Sequence, residues 1–246
     1  KRQGHGRGRR RTKVFTDTQH WTHTRKRQRV CRTAKYGCSN MKNTYAGLLS
    51  LVLVAATAQA DGLVKGDAEA GKNKAITCAA CHGQDGNSVN PEWPSIAGQH
   101  ARYSVEQLQA FKGGLRNNAL MLGQVMTLTD EDMRNLAVYF EGMPAAAKSV
   151  ADPSTVDRGE RIYRGGDREN NTAACIACHG PTGSGNPAAS VPSVRGQYAV
   201  YSAAQLRLYA SGERKSDGAT RVMRDIAAKL SEEDIVAVAS YMQGLQ

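Results

Sequence analysis

Two short stretches decide how this chain folds: CAACHG at residues 78–83 and CIACHG at residues 175–180. Each holds two cysteines separated by two residues, with a histidine directly after the second cysteine. Two longer matches keep the same order along the chain. PSIAGQHARYSVEQLQAFKGG at 94–114 aligns without a gap to PSVRGQYAVYSAAQLRLYASG at 192–212, and LTDEDMRNLAVYFEGM at 128–143 aligns to LSEEDIVAVASYMQGL at 230–245. The chain therefore contains an internal repeat, which predicts two homologous domains in tandem.

The repeat also predicts the domain boundaries. We place the first domain at residues 61–143 and the second domain at residues 156–246. The segment 144–155 between them is rich in Pro, Ala and Ser and is interpreted as a linker. A helix is predicted before each cysteine pair, near 66–75 and 156–164.

Capping patterns predict further helices in each domain. Thr129 and Ser231, each followed three residues later by an aspartate, are predicted to begin the last helix of their domains. Ser104 and Ser202, each followed three residues later by a glutamine, are predicted to begin a middle helix in the same way. No convincing strand pattern is present, so the fold class is predicted to be all-α.

The CxxCH spacing is the attachment signature of a c-type haem. The two thiols add to the haem vinyl groups, which requires sulfurs about one helical turn apart, and the histidine that follows is aimed at the iron. One shared zinc would need cysteine pairs from separate repeats to meet. A thioredoxin-like redox pair needs an α/β fold, and disulfides leave the repeated histidine unexplained. We therefore predict two covalent haems, held by Cys78, Cys81 and His82 and by Cys175, Cys178 and His179.

Each iron needs a sixth ligand, and histidine is a poor candidate for it. Beyond the two CxxCH motifs, the region after residue 60 has one further histidine, His100, and its repeat partner is Tyr198. The two sites could not match, so His100 is interpreted as a loop or surface residue. Methionine is the remaining soft, neutral ligand.

The position of the methionine in the second domain indicates which methionine of the first domain is the candidate ligand. Met223 is the only methionine there between the CxxCH motif and the final helix, and it lies eight residues before Ser231. Eight residues before Thr129 lies Met121. We therefore predict Met121 and Met223 as the axial ligands. Met126 stays open as an alternative ligand, or as a residue packed against the haem edge, and Met133 is interpreted as helix core.

The formal charge of +11 is confined to the first segment. Residues 1–42 hold 14 Lys and Arg and one acidic residue, whereas residues 61–246 hold 19 Lys and Arg against 21 Asp and Glu. The main body thus gives no electrostatic support for a nucleic-acid function. Residues 1–40 lack hydrophobic periodicity and are predicted to be disordered. They could be a solvated tail or a polyanion-binding arm, but we favour upstream sequence that is absent from the natural product.

Residues 41–60, MKNTYAGLLSLVLVAATAQA, are typical of a secretory signal peptide. A short positive start precedes an apolar run, and Ala-Gln-Ala at 58–60 predicts cleavage after Ala60. The apolar run, about 11 residues long, is too short to span a bilayer, although an uncleaved anchor remains an alternative. The pattern predicts export across the membrane.

The exported region resembles the dihaem cytochromes c of the cytochrome c4 family along essentially its whole length. The resemblance rests on the two CxxCHG sites, GDAEAG, the paired PSIAGQ and PSVRGQ segments, MRDIAAKLSEEDI and the terminal YMQGL. It implies two small helical cytochrome c domains related by a pseudo-two-fold axis, each with a His–Met iron. It also implies a periplasmic carrier, often loosely membrane-associated, that takes electrons from a quinol-oxidising cytochrome complex and passes them towards a haem-copper terminal oxidase.

The resemblance extends to residues around the irons. Pro94 and Pro192 match the position whose backbone carbonyl accepts the imidazole N–H, with a simple turn proline as the alternative. Arg116 and Arg214 are candidates for pairing with haem propionates, with a solvated arginine as the alternative. One departure from the wider pattern is visible, since Tyr163 of the second domain stands where the first domain has Ala75. It predicts either a looser helix crossing or a different haem exposure in the first domain.

A His–Met iron leaves no position for substrate, and no catalytic acid, base or nucleophile is evident. The predicted function is therefore electron transfer rather than catalysis. One alternative is a cytochrome subunit of a dehydrogenase complex, such as a flavocytochrome sulfide dehydrogenase. A dihaem peroxidase is the other alternative, and it would need a vacant distal position on one iron.

Overall fold

The computed structural model describes residues 62–246. The predictions for residues 1–40, for the signal peptide at 41–60 and for cleavage after Ala60 lie outside the described residues. None of the helices in the described range is both long and apolar enough to cross a membrane.

Ten α-helices make up the described part, five in each domain. The first domain contains α1 (Ala68–Lys74), α2 (Ile76–His82), α3 (Ala101–Lys112), α4 (Ala119–Val125) and α5 (Asp130–Glu141). The second domain contains α6 (Val156–Gly165), α7 (Ile176–His179), α8 (Ala199–Ala210), α9 (Val222–Ala227) and α10 (Glu232–Gln243). Short 3-10 turns lie at Pro153–Thr155, Pro187–Ala189 and Gly218–Thr220. Between residues 62 and 246 the only extended pairing is two isolated β-bridges, so the all-α prediction is confirmed.

Each domain has its own apolar core, built where its last helix crosses its first. The first core includes Phe111, Met133, Leu136 and Phe140, and the second includes Ile162, Tyr163, Val238 and Tyr241. The two helices approach closely because glycine occupies the crossing point. A Cβ atom on Gly71 would collide with the Asn135 carbonyl, and one on Gly159 with the Ala237 carbonyl.

The last helix of each domain begins as predicted. The Thr129 hydroxyl accepts from the Asp132 N–H, and the Asp132 carboxylate accepts from the Thr129 N–H. Ser231 and Asp234 form the same reciprocal pair at the start of α10. Two backbone N–H groups that would otherwise lack partners are thus satisfied at each helix start.

The prediction that Ser104 and Ser202 begin the middle helices is wrong. Helices α3 and α8 begin four residues earlier, with His100 and Tyr198 as their N-cap residues. No side-chain cap is needed there, because residues distant in sequence satisfy the first N–H groups. The Glu141 carboxylate accepts from the first N–H of α3, and the Gln243 amide oxygen accepts from that of α8, both at 2.9 Å.

The predicted linker at 144–155 runs along both domains. The Ala146 N–H donates to Asn87 Oδ1 of the first domain at 2.8 Å. Lys148 Nζ donates to the Gly196 carbonyl of the second domain at 2.7 Å. The segment ends in the 3-10 turn that leads into α6. It is therefore bound to both domains along its length.

Candidate haem sites

The two CxxCH histidines occupy matching places. His82 ends α2 and His179 ends α7, and both rings are buried. The chain can leave each helix sharply because a glycine follows, with φ of +85° at Gly83 and +77° at Gly180, a conformation that favours glycine. The two histidines are therefore fixed at the end of a helix that also carries the second cysteine of the motif.

One ring nitrogen of each histidine has a backbone partner. His82 Nδ1 lies 2.8 Å from the Pro94 carbonyl oxygen, and His179 Nδ1 lies 3.0 Å from the Pro192 carbonyl oxygen. A proton on Nδ1 makes this a hydrogen bond and leaves Nε2 as the free lone pair. Burial lowers the pKa of His82 and of His179 below the usual value for imidazole, which favours the neutral ring that can bind a metal.

All four cysteines of the described residues carry free thiols. Burial raises the pKa of Cys78 and raises the pKa of Cys175 to about 11. The second cysteine of each motif is partly buried at Cys81 and exposed at Cys178. Each domain therefore presents two unpaired sulfurs on one short helical segment next to its buried histidine.

The four methionines of interest lie in different environments. Met121 in α4 is partly buried against the same core cluster as Cys78, and Met223 in α9 is partly buried against the same cluster as Cys175. Met126 is 56% exposed and Met133 is 0% exposed. Met133 is therefore helix core, as interpreted from the sequence. The assignment of Met121 and Met223 as iron ligands stays a prediction.

Arg116 is buried at the boundary between the domains. Its guanidinium lies 4.5 Å from the centre of the Phe111 ring and donates to Gln107 Oε1 at 3.1 Å. It also donates to two side chains of the second domain, Tyr201 Oη at 2.5 Å and Gln205 Oε1 at 2.9 Å. The alternative of a solvated arginine is therefore wrong for this position.

Arg214 makes the equivalent contacts from the second domain. It is buried, its guanidinium lies 4.5 Å from the centre of the Tyr209 ring, and it donates to Gln205 Oε1 at 2.8 Å. Across the boundary it donates to Tyr103 Oη at 2.8 Å and Gln107 Oε1 at 2.7 Å. Within residues 62–246, the partners of both arginines are amide, hydroxyl and ring groups rather than carboxylates. Two buried positive charges thus lack a carboxylate partner in this part of the chain, and the pairing with haem propionates stays a prediction.

Sequence reasoning missed the residues that join the domains. His100, interpreted as a loop or surface residue, places its Nε2 atom 2.7 Å from the Ser184 carbonyl oxygen of the second domain. Gln99 and Gln197 each bind the backbone of the other domain. The sequence signal that could have indicated these two glutamines is the pair of segments PSIAGQ and PSVRGQ, because both copies of the repeat have a glutamine at the same position.

The donor set fits a covalent haem and does not fit a shared zinc. No group of three or more His, Cys, Asp and Glu side chains in residues 62–246 could hold a metal ion. Each domain instead offers two free thiols, one neutral buried imidazole and one thioether near the same core. These are the groups that attach and ligate a c-type haem.

Comparison with known proteins agrees with this donor set. The family described as "Cytochrome c" matches residues 68–144 and 156–246, one match in each domain. Cytochrome c4 of Azotobacter vinelandii is 44% identical over 189 residues, which cover 73% of this chain and 90% of the relative. The thiosulfate dehydrogenase electron acceptor of Stutzerimonas stutzeri is 38% identical over 200 residues, covering 80% of this chain and 91% of the relative.

A solved structure is also similar. The crystal structure of reduced recombinant cytochrome c4 from Pseudomonas stutzeri superimposes with a TM-score of 0.72 at 42% identity, covering 74% of this chain and 100% of that chain. Proteins of this type bind two covalently attached haem c groups and transfer electrons. This chain belongs to the cytochrome c family and, within it, to the dihaem cytochromes of the cytochrome c4 type.

Proposed function

We propose that this chain is a periplasmic one-electron carrier in which His82 and Met121 ligate one haem iron and His179 and Met223 ligate the other. The observation that carries the proposal is the matched donor set of the two domains. In each, one imidazole lies within hydrogen-bond distance of a proline carbonyl, and one thioether packs against the same core cluster as the first cysteine of the motif. When bound, haem c supplies an iron that gains and loses one electron reversibly.

The residues of the chain do the remaining work. The proline carbonyl holds the Nδ1 proton, fixes the orientation of the ring and makes Nε2 a stronger donor. The thioether favours the reduced iron and raises the reduction potential. Burial of His82 and His179 limits the access of water to the ligand side of the sites. If His82 and Met121 held one iron and His179 and Met223 held the other, neither iron would offer a position for substrate, which is why we propose a carrier rather than an enzyme.

We propose that the electrons come from a quinol-oxidising cytochrome complex and go towards a haem-copper oxidase, as the family resemblance implies. A second candidate is direct acceptance of electrons from a dehydrogenase. It is favoured by the 38% identity to the thiosulfate dehydrogenase electron acceptor of Stutzerimonas stutzeri. The rates at which a thiosulfate dehydrogenase and a quinol-oxidising complex reduce the oxidised protein would distinguish the two donors.

The test of the carrier function is ligand binding to the purified protein with both haems attached. We expect two covalent haems, both low-spin, and no binding of carbon monoxide to the reduced form or of cyanide to the oxidised form at neutral pH. Binding of either ligand to one haem would indicate an open position and would favour the dihaem peroxidase. A protein without two covalent haems would overturn the whole assignment.

A further inference from the structure

The peptide group between Pro94 and Ser95 is hydrogen-bonded at both ends. Its carbonyl oxygen lies 2.8 Å from His82 Nδ1. Its N–H, which belongs to Ser95, donates to Gln197 Oε1 of the second domain at 3.0 Å. Gln197 Nε2 donates in return to the Ser95 carbonyl oxygen at 2.8 Å. A side chain of the second domain therefore holds the peptide group that faces the histidine of the first domain.

The other domain has the same arrangement in reverse. The carbonyl oxygen of the Pro192–Ser193 peptide group lies 3.0 Å from His179 Nδ1. Its N–H donates to Gln99 Oε1 of the first domain at 3.0 Å, and Gln99 Nε2 donates to the Ser193 carbonyl oxygen at 2.9 Å. Each domain thus supplies one glutamine to the histidine side of the other domain.

The orientation of both amides is fixed by their partners. Gln99 Oε1 also accepts from the His100 N–H, and Gln197 Oε1 also accepts from the Tyr198 N–H, each at 3.1 Å. Only the oxygen of an amide can accept from two backbone N–H groups, so oxygen and nitrogen cannot be exchanged. Because these N–H groups stand at the start of α3 and α8, each glutamine is anchored to its own helix while it binds the other domain.

Hydrogen bonds in such a chain strengthen one another. A peptide group whose N–H donates to an acceptor has more electron density on its carbonyl oxygen. A carbonyl of this kind holds the Nδ1 proton of an imidazole more tightly and makes Nε2 a stronger donor. A stronger donor favours the oxidised iron. Each glutamine should therefore lower the reduction potential of the haem in the opposite domain.

We propose that Gln99 and Gln197 are positioning residues that tune, across the domain boundary, the iron-ligating histidine of the other domain. Gln197 acts on His82 through the Pro94–Ser95 peptide group, and Gln99 acts on His179 through the Pro192–Ser193 peptide group. Docking of the two domains is then a determinant of both potentials. The inference rests on the proposed ligation by His82 and His179.

The test compares Gln197→Leu with Gln99→Leu in the full protein with both haems attached. Leucine keeps much of the bulk and removes all three hydrogen bonds of each amide, including the two to the backbone of the other domain. The control is Ser190→Ala, which removes a different bond across the domains, from Ser190 Oγ to Glu106 Oε2 at 2.5 Å. The readouts are the reduction potential of each haem and the Nδ1–H resonance of each isotope-labelled histidine, which assigns the effect to one domain.

We expect crossed effects. Gln197→Leu should raise the potential of the first haem and weaken the Nδ1 hydrogen bond of His82, and Gln99→Leu should do the same to the second haem and His179. The control variant Ser190→Ala should change neither the reduction potentials nor the Nδ1–H resonances of the two histidines. Equal shifts at both haems, a shift in the domain that carries the substitution, or no shift would overturn the inference while leaving two low-spin haems, and thus the proposed function, intact.

Gln197→Glu provides a second test of the inference if the leucine variant does not fold. The carboxylate loses the bond that Nε2 donates to the Ser95 carbonyl oxygen, but it keeps the acceptor for the Ser95 N–H and is a stronger acceptor than the amide. It should lower the potential of the first haem and strengthen the Nδ1 hydrogen bond of His82, opposite in direction to leucine. An unchanged His82 Nδ1–H resonance in this variant would also overturn the inference.

Discussion

In the first domain, seven positions separate the crossing glycine Gly71 from Cys78, whereas in the second domain sixteen separate Gly159 from Cys175. The extra residues include a turn closed by the bridge between Asp167 and Thr172. Yet the histidine, its proline carbonyl and the methionine-bearing helix recur in both domains. The comparison teaches that the segment before the cysteine pair can vary in length while the histidine–proline contact and the methionine-bearing helix are kept.

The second domain has a buried tyrosine where the first domain has an alanine. Tyr163 is 0% exposed, and its hydroxyl donates to the Gly180 carbonyl, directly after His179, at 2.7 Å. The first domain has the buried Ala75 at the matching position. Because glycine makes both crossings equally close, the expectation of a looser crossing in the first domain is wrong. A difference in haem exposure remains the prediction.

Removal of this tyrosine should reveal the difference in stability between the two domains most clearly. We expect Tyr163→Ala to destabilise the second domain by about 3–5 kcal/mol, the usual cost of emptying a buried aromatic site. Tyr163→Phe should cost about 1 kcal/mol, since it loses one hydrogen bond. Denaturant unfolding followed at each haem measures both. An equal loss in the first domain would show that the two cores do not behave independently.

The methionine-bearing helices are held differently and should respond differently. Asp217 accepts from Arg224 Nε at 2.8 Å and from the Arg224 N–H at 3.0 Å, and this ion pair is largely buried. In the first domain the Asn118 side chain accepts from the Met121 N–H, at 3.0 Å. We expect Asp217→Ala to cost about 3 kcal/mol because a largely buried arginine loses its carboxylate partner.

Asn118→Ala is the matched change in the first domain. It should cost about 1 kcal/mol, the value of a helix cap. The same denaturant titration, followed at each haem, compares the two variants. Similar losses would contradict the view that α9 depends on an ion pair and α4 on a cap.

The smallest expected effect is acid destabilisation at the two final helices. Hydrogen bonds from the Thr129 N–H and from Lys74 hold the pKa of Asp132 below its usual value. Burial alone would raise the pKa of Asp234, but hydrogen bonds from Arg158 and from its own cap residue outweigh it and lower the pKa. Both carboxylates therefore stabilise the folded state in their ionised form.

The sign of the pH effect follows from these directions. The contribution is complete above the unfolded aspartate pKa of about 3.9 and is lost as the pH falls through the lower folded values. We expect Asp132→Asn and Asp234→Asn each to flatten the acid limb of the free energy of unfolding against pH, with the larger change at the less exposed Asp234. A steeper acid limb in either variant would contradict the lowered pKa.

The repeat explains why much of the site could be predicted. CxxCH spacing and capping boxes are local patterns, so the haem cysteines, the histidines and the starts of α5 and α10 follow from short stretches of sequence. The spacing of eight residues between each methionine, Met121 or Met223, and the cap residue that follows it is also a short-range sequence pattern. It selected two methionines that pack against the same core clusters as Cys78 and Cys175.

The errors arise where partners lie far apart in sequence. The start of α3 depends on Glu141, 40 positions away, and no pattern near Ser104 reveals it. The surroundings of Arg116 depend on Tyr201, 85 positions away in the other domain. Contacts between domains are set by docking, which periodicity and spacing do not encode.

The central claim is that Met121 and Met223, and not Met126, hold the irons, and absorption and electron paramagnetic resonance spectra of three alanine variants test it most directly. We predict that Met121→Ala and Met223→Ala each convert one haem from low spin to high spin. Met126→Ala, at a side chain that is 56% exposed, should leave both haems low-spin. A high-spin haem in Met126→Ala, with both haems low-spin in Met121→Ala, would contradict the account.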